Sequence, residues 1–159
     1  VKILNLDQST KVTAYAVRNN GKLTDYGEIC SDKNERNPVE RMKQMYDGIG
    51  ELLDRIKPNY IVFEQVQYQN NQKVYSQLSQ LQGVIFSLLF DRDLGFELVS
   101  PPAWRKAVGV VGRNRADQKA SIIQIVKERY GLDVSEDIAE AIGISEWSIE
   151  NIKLSDKVD

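Results

Sequence analysis

The sequence predicts an α/β protein built on a mixed five-stranded sheet. Three strands form an antiparallel meander, two more add in parallel, and helices cover both faces. Three observations carry this. The opening third reads as short apolar strands joined by tight turns. The middle alternates an amphipathic helix with a short apolar strand, twice. The final third is helical by its apolar spacing.

Lys2 to Asp7 contains the run Ile3-Leu4-Asn5-Leu6 and reads as a buried first strand. Val12 to Val17 alternates like a second strand, and Asn19-Asn20-Gly21 is a hairpin signal leading to a third, Lys22 to Cys30. A polar loop follows to Asn37. Pro38 suits the first turn of a helix running to about Lys57, with Val39, Met42, Met45, Ile49, Leu52, Leu53 and Ile56 on one stripe; Pro58 stops it. Tyr60 to Glu64 is the fourth strand. After the Gln- and Asn-rich loop Gln65 to Gln72, a long helix runs to about Phe90 through Val74, Leu78, Leu81, Val84, Ile85, Leu88 and Leu89. Phe96 to Val99 is the fifth strand. Pro101-Pro102 then breaks the chain, a short helix carries Trp104-Arg105-Lys106, and a flexible basic loop spans Gly109 to Arg115. Helices from about Ala116 to Tyr130 and Ser135 to Ile149 close the order, with frayed residues after them. Strands reached through helices lie parallel to the first, with right-handed crossovers. If the first and fourth strands are neighbours, Asp7 and Glu64 stand side by side, and the helix bearing Asp137 crosses over them.

The 159 residues suit one domain, 1–159, with a substantial core. No apolar run reaches the roughly 18 residues of a membrane span, and the opening residues lack a signal-peptide profile. Cys30 is the sole cysteine, which suits a reducing cytoplasm. Histidine is absent, so Ser-His and Cys-His nucleophiles and His-rich zinc sites are excluded. The net charge of -2 hides a segregation. Arg105, Lys106, Arg113, Arg115, Lys119, Lys127 and Arg129 crowd the stretch from Ser100 to Tyr130, against only Asp117 and Glu128. Such a stretch reads either as a polyanion-binding patch or as a solvated helix face.

Four carboxylates sit among apolar neighbours: Asp7, Glu64, and the pair Asp137 and Glu140, which share a helix face three residues apart. Buried acids are rare unless paired or bound to metal, and a cluster of oxygen donors suits a hard divalent cation. Each acid also has a plain structural reading. Asp137 and Glu140 follow the N-cap candidate Ser135, where acids oppose the helix dipole. Glu64 can end a strand beside a cation, and Asp7 can bond the turn after it. The opening Leu4-Asn5-Leu6-Asp7-Gln8-Ser9-Thr10 also has the look of the first phosphate loop of actin-like and sugar-kinase ATPases. That loop normally uses Gly, which is missing here, and those proteins have two lobes.

Taken in order, these pieces resemble the RuvC-type Holliday-junction resolvases of the ribonuclease H-like superfamily, in a form that looks like a bacteriophage member. The resemblance runs through the Asp7 strand, Val62-Phe63-Glu64-Gln65-Val66, the helix Ser79 to Ile85, the stretch Pro102 to Lys119, and Asp137-Ile138-Ala139-Glu140-Ala141-Ile142. Four departures stand out: Glu140 where the family has Asp, Gln8-Ser9 where it has Pro-Gly, Gln67 with Tyr68 one place late for the family's aromatic, and a longer, more basic loop at Gly112 to Arg115.

The resemblance implies a metal-dependent endonuclease that nicks four-way junctions and other branched DNA, leaving 5′-phosphate and 3′-hydroxyl ends. Asp7, Glu64, Asp137 and Glu140 would hold two Mg²⁺ or Mn²⁺ ions, Asp7 bridging them, and Lys119 would steady the scissile phosphate. Arg105, Lys106, Arg113, Arg115 and Lys119 would grip DNA backbone, and Tyr68 would stack on an unpaired base. Trp104 and Trp147 read as packing residues. No membrane and no small-molecule cofactor are expected, and the location is cytoplasmic (the bacterial host's, if phage-encoded). The junction's own symmetry implies a homodimer, with the Val74 to Phe90 helix as its interface and Leu81 near the two-fold axis. Nucleases of flaps, forks or RNA–DNA hybrids, and a non-catalytic junction binder, are the alternatives.

Overall fold

Parity along the first strand decides how the molecule is layered. In the computed structural model, which describes residues 1–154, the sheet order is β3-β2-β1-β4-β5. The strands are β1 (Lys2–Asp7), β2 (Val12–Asn19), β3 (Lys22–Cys30), β4 (Tyr60–Glu64) and β5 (Gly95–Val99). Leu4 and Leu6 of β1, Tyr15 and Val17 of β2, and Ile61 and Phe63 of β4 point to one face. There they meet the apolar stripes of α1 (Pro38–Ile56) and α2 (Gln72–Asp91). Ile3, Ala14, Ala16 and Val62 point to the other face, against α3 (Pro101–Val108), α4 (Arg115–Tyr130) and α5 (Glu136–Asn151). Each fully buried Leu, Ile, Val or Phe among them contributes about 1.5–3 kcal/mol. Because side chains alternate with a period of two, Asp7 falls on the face of Ile3, and Glu64 on the face of Val62. Both acids therefore point toward the α5 layer.

The pairing matches the predicted topology. β1–β2 and β2–β3 are antiparallel; β1–β4 and β4–β5 are parallel. The β1–β4 register runs from Ile3 opposite Tyr60 to Leu6 opposite Phe63. One step further, Asp7 and Glu64 end neighbouring parallel strands. The β2–β3 turn places Asn20 and Gly21 at φ of 51° and 82°, as a two-residue hairpin requires.

The helix starts have local causes. Asn37, Asn71, Ser100, Asn114 and Ser135 each accept a hydrogen bond from a first-turn backbone N–H. Pro38 and Pro101 occupy first-turn positions where no N–H is needed. Pro101-Pro102 thus opens a helix directly after β5 instead of only breaking the chain.

One reading is corrected. Leu81 is fully buried among Ile85, Leu88 and Leu89 in the α1–α2 core, so it lies on no exposed interface. The exposed apolar residues of α2 are Val74, Tyr75 and Phe90, at its two ends. The apolar run of α2 is accounted for in part by burial, since Leu81, Ile85, Leu88 and Leu89 pack into the core shared with α1. No helix of the described residues is long and apolar enough to cross a membrane. The expected terminal fraying falls on 155–159, outside the described residues.

Candidate active site

Asp7, Glu64, Asp137 and Glu140 line one cleft of about 350 Å³ at the C-terminal ends of β1 and β4. In a sheet with parallel strands this is where ligands ordinarily bind. The acids arrive from three separate elements. β1 and β4 deliver Asp7 and Glu64 by parity and register. Helix α5 lies across β1 and β2 through Ala139, Ile142 and Ile144. Its first turns bring Asp137 and Glu140 over the strand ends. Close approach of α5 to α3 depends on Gly143: a methyl built there would lie 2.6 Å from Trp104 Cζ3.

Electrostatics in the cleft are strained. Lost hydration, then the charges of Glu64, Glu140 and Asp137, hold the Asp7 carboxyl well above its usual range. Burial also raises Glu64, against the opposing pull of a hydrogen bond that the Trp104 indole N–H donates to its Oε2 at 2.8 Å. Asp137 is raised by burial and by Glu140. Glu140 is buried and pairs with Arg115, whose Nη2 lies 2.9 Å from Oε1 and 3.3 Å from Oε2. Arg105 also lines the cleft, and burial followed by the nearby Arg115 charge lowers its pKa.

The other expected residues are spread around this centre. Lys119 Nζ pairs with Glu136, next to Asp137, and does not pair with any of the four cleft acids. Arg113 is exposed on the loop before α4. Gly112 holds that loop tight: its φ is 144°, and a methyl there would meet the Gln118 backbone N at 2.8 Å. Lys106 is exposed in the last turn of α3. Tyr68 is exposed on the loop after β4, edge-on to Tyr75 at 5.6 Å between centroids, and Tyr75 lines the cleft. Trp147 is half-buried against the α3–α5 core.

Three residues escaped the sequence reading. Trp104 is 1% exposed, as a packing residue should be, yet it also fixes Glu64. Gln8 donates from Nε2 to the Glu64 carbonyl at 2.6 Å, which ties the β1 end to the β4 end and leaves its buried Oε1 without a partner. Tyr75 lay hidden in a helix that read as apolar. Only Gln8, adjacent to Asp7, carried any signal.

All the cleft's acidic donors are oxygens, and the charge they share is unfavourable without a cation. That donor set fits a hard divalent ion. The orphaned Gln8 Oε1 is one more acceptor along the same wall. Among the described residues, no three His, Cys, Asp or Glu side chains are already closed into a ligating group. Arg115 and Trp104 instead hold Glu140 and Glu64.

The family model for the crossover junction endodeoxyribonuclease RuvC matches residues 3–145. A protein of that description from Vibrio vulnificus is 30% identical over 147 residues, covering 90% of this chain and 83% of the relative. One from Fusobacterium nucleatum is 26% identical over 151 residues, covering 91% and 77%. Among solved structures, Thermus thermophilus RuvC in complex with a Holliday junction substrate superposes with a TM-score of 0.75 at 14% identity, over 94% of this chain and 95% of that one. The yeast mitochondrial Holliday junction resolvase Ydc2 gives 0.57 at 15% identity, over 90% and 76%. The shared architecture is the ribonuclease H-like fold.

Proposed function

This chain belongs to the RuvC family, and from that premise we propose that it is a divalent-metal-dependent endonuclease that resolves four-way DNA junctions and other branched DNA. The observation that carries the reading is the convergence of Asp7, Glu64, Asp137 and Glu140, from two strand ends and one helix, on a single cleft. Four acids gathered in one place repel one another and destabilise the fold until a cation neutralises them, which marks the cleft as a functional site.

Asp7, Glu64, Asp137 and Glu140 are the residues proposed to hold Mg²⁺ or Mn²⁺, two ions per site. When bound, such ions activate water and stabilise charge on the scissile phosphate and leaving oxygen. The chain's own groups do the rest. The Trp104 indole holds Glu64 in one orientation, and Gln8 fastens the two strand ends so that Asp7 and Glu64 keep their spacing. Arg105 and Arg115, on the cleft wall, offer guanidinium groups to the phosphate oxygens. Lys119 sits one pair away through Glu136 and is proposed to steady the phosphate once that pair opens. Lys106 and Arg113 grip backbone further out, and Tyr68 with Tyr75 offers a stacking edge to an unpaired base. The product ends are a 5′-phosphate and a 3′-hydroxyl.

The substrate's two-fold symmetry supports a homodimer with one site per strand. The outer face of α1 and α2, with exposed Val39 and Tyr46 beside Val84, is the surface proposed for it.

The deciding experiment compares a synthetic four-way junction with a linear duplex of the same sequence, with and without Mg²⁺. Metal-dependent symmetric nicking of the junction alone is expected. Equal cutting of the duplex, or cutting only of flaps or RNA–DNA hybrids, would reassign the substrate; binding without cutting would make the chain a junction binder.

A further inference from the structure

A second cleft opens beside the acidic one. It measures about 580 Å³ and lies among the β1–β2 turn, the loop before α1 and the start of α2. Ser9, Asn71, Val74 and Leu78 line both clefts, so the two are continuous. Their chemistry is opposite. The second is lined by Lys11, Lys33, Arg36, Arg41 and Lys73, against the single acid Glu35. In a chain of net charge -2 this is a concentrated positive surface. It is also separate from the basic stretch between Arg105 and Lys119 that the sequence singled out.

Arg41 makes the groove a built feature instead of a chance meeting of surface lysines. It is buried, and its guanidinium is held by neutral acceptors alone: Thr10 Oγ1 at 3.3 Å, the Glu35 and Arg36 carbonyls at 3.3 and 3.1 Å, and Gln77 Oε1 at 3.4 Å. Among the described residues, none of the five cations is within ion-pair distance of a carboxylate. The Glu35 carboxylate is turned to the Asn37 backbone N–H. A buried cation without a counter-ion projects its field into the cleft it lines, where the low-dielectric wall screens it poorly. Among the described residues no aromatic side chain lines the groove, so it has nothing on which to stack bases. Lysine and arginine without stacking partners match a sugar–phosphate backbone.

We propose that this groove holds the phosphate backbone of a DNA duplex arm as it leaves the acidic cleft, fixing the arm's direction relative to the bond that is cut. The inference rests on the acidic cleft being the place of cleavage. The groove then sets which branch geometry fits, because an arm must reach both clefts at once.

The test replaces the four exposed cations together, Lys11→Gln, Lys33→Gln, Arg36→Gln and Lys73→Gln, in the full chain. Buried Arg41 stays, so the fold is undisturbed, and an unchanged melting temperature verifies this. A control variant removes Lys22, Lys57 and Lys153, exposed on other faces. Binding to a labelled four-way junction is measured in metal-free buffer across a salt series, alongside hydroxyl-radical footprinting. The log–log salt slope should become shallower by about 0.9 for each phosphate that is no longer neutralised, up to roughly 3–4 in all. Protection of one strand beyond the cleavage point should disappear, while the control keeps both. With Mg²⁺, KM should rise and kcat should hold.

A wild-type chain that cuts junctions, with a four-fold variant of unchanged slope and footprint, would overturn the groove alone. A wild-type chain that binds but never cuts would overturn the nuclease reading, and the slope would still report on the groove. Loss of affinity for poly-glutamate without loss for DNA would assign the surface to an acidic protein and overturn the proposal.

Discussion

Trp104 shows how one side chain serves two structural ends. Its ring fills the space against Gly143, and its N–H steadies Glu64. Trp104→Phe keeps most of the ring and removes the donor. The Glu64 carboxyl should then rise further, as followed by carboxyl NMR titration, and stability should fall by about 1–3 kcal/mol in urea. At Asp7 substitution has the opposite effect on stability. Its pKa is raised on folding, so the native state takes up a proton more readily than the unfolded chain. In metal-free buffer that favours the fold at low pH, and the advantage is lost as pH climbs from the ordinary carboxylate range through the raised value. Asp7→Asn removes the penalty. The variant should therefore melt above the wild type at neutral pH, with a gap that closes on acidification, while junction cleavage falls by more than about a hundredfold, beyond the loss typical of a supporting residue. A variant that cuts at the wild-type rate would refute the assignment. These residue-level ties were the least legible in the sequence. That Asp7 and Glu64 were special could be read from charge set within apolar runs. That Trp104 and Gln8 serve Glu64 could not, because contacts between distant chain segments leave no local pattern.

At the level of elements, the sequence was most readable where a local rule acts alone. Pro38, Ser135 and the Asn20-Gly21 turn begin or reverse elements for reasons contained in a few residues. The meander and the two parallel additions followed from connection length and handedness, whereas the adjacency of the first and fourth strands entered only as a condition. On helix α2 only the placing of Leu81 at a two-fold contact fails, because width of an apolar stripe alone does not distinguish deep burial from association; Leu81 lies inward and Phe90 outward on the same helix. Helix α5 is the element on which the site turns, and Gly143 sets its height above α3. Gly143→Ala forces the Trp104 ring and α5 apart. It should cost about 1–3 kcal/mol by overpacking, read as a lowered urea midpoint with an unchanged slope. Because Asp137 and Glu140 ride on α5, cleavage should drop even at temperatures where the variant is fully folded.

For the whole molecule, the metal binding proposed for the acidic cleft would be linked to stability. Mg²⁺ or Mn²⁺ bound only by the folded chain should raise the melting temperature, by the equivalent of about 2.7 kcal/mol at a hundredfold excess over Kd. Glu140→Ala should abolish most of that shift, and a shift that persists unchanged would place the ion elsewhere. The sheet order also has a consequence in time. Asp7 and Glu64 become neighbours only when β1 and β4 pair across the whole of β2, β3 and α1, and α5 must then close over strands laid down at the start of the chain. Contacts this remote in sequence form slowly, since the loop must be closed before the pairing rewards it. A nascent chain still lacking α5 carries Asp7 and Glu64 but neither Asp137 nor Glu140, so it has half a cleft and a bare sheet face. If the cleft cuts DNA as proposed, a chain that stops short of α5 should therefore make no cut, however well its first four strands have paired.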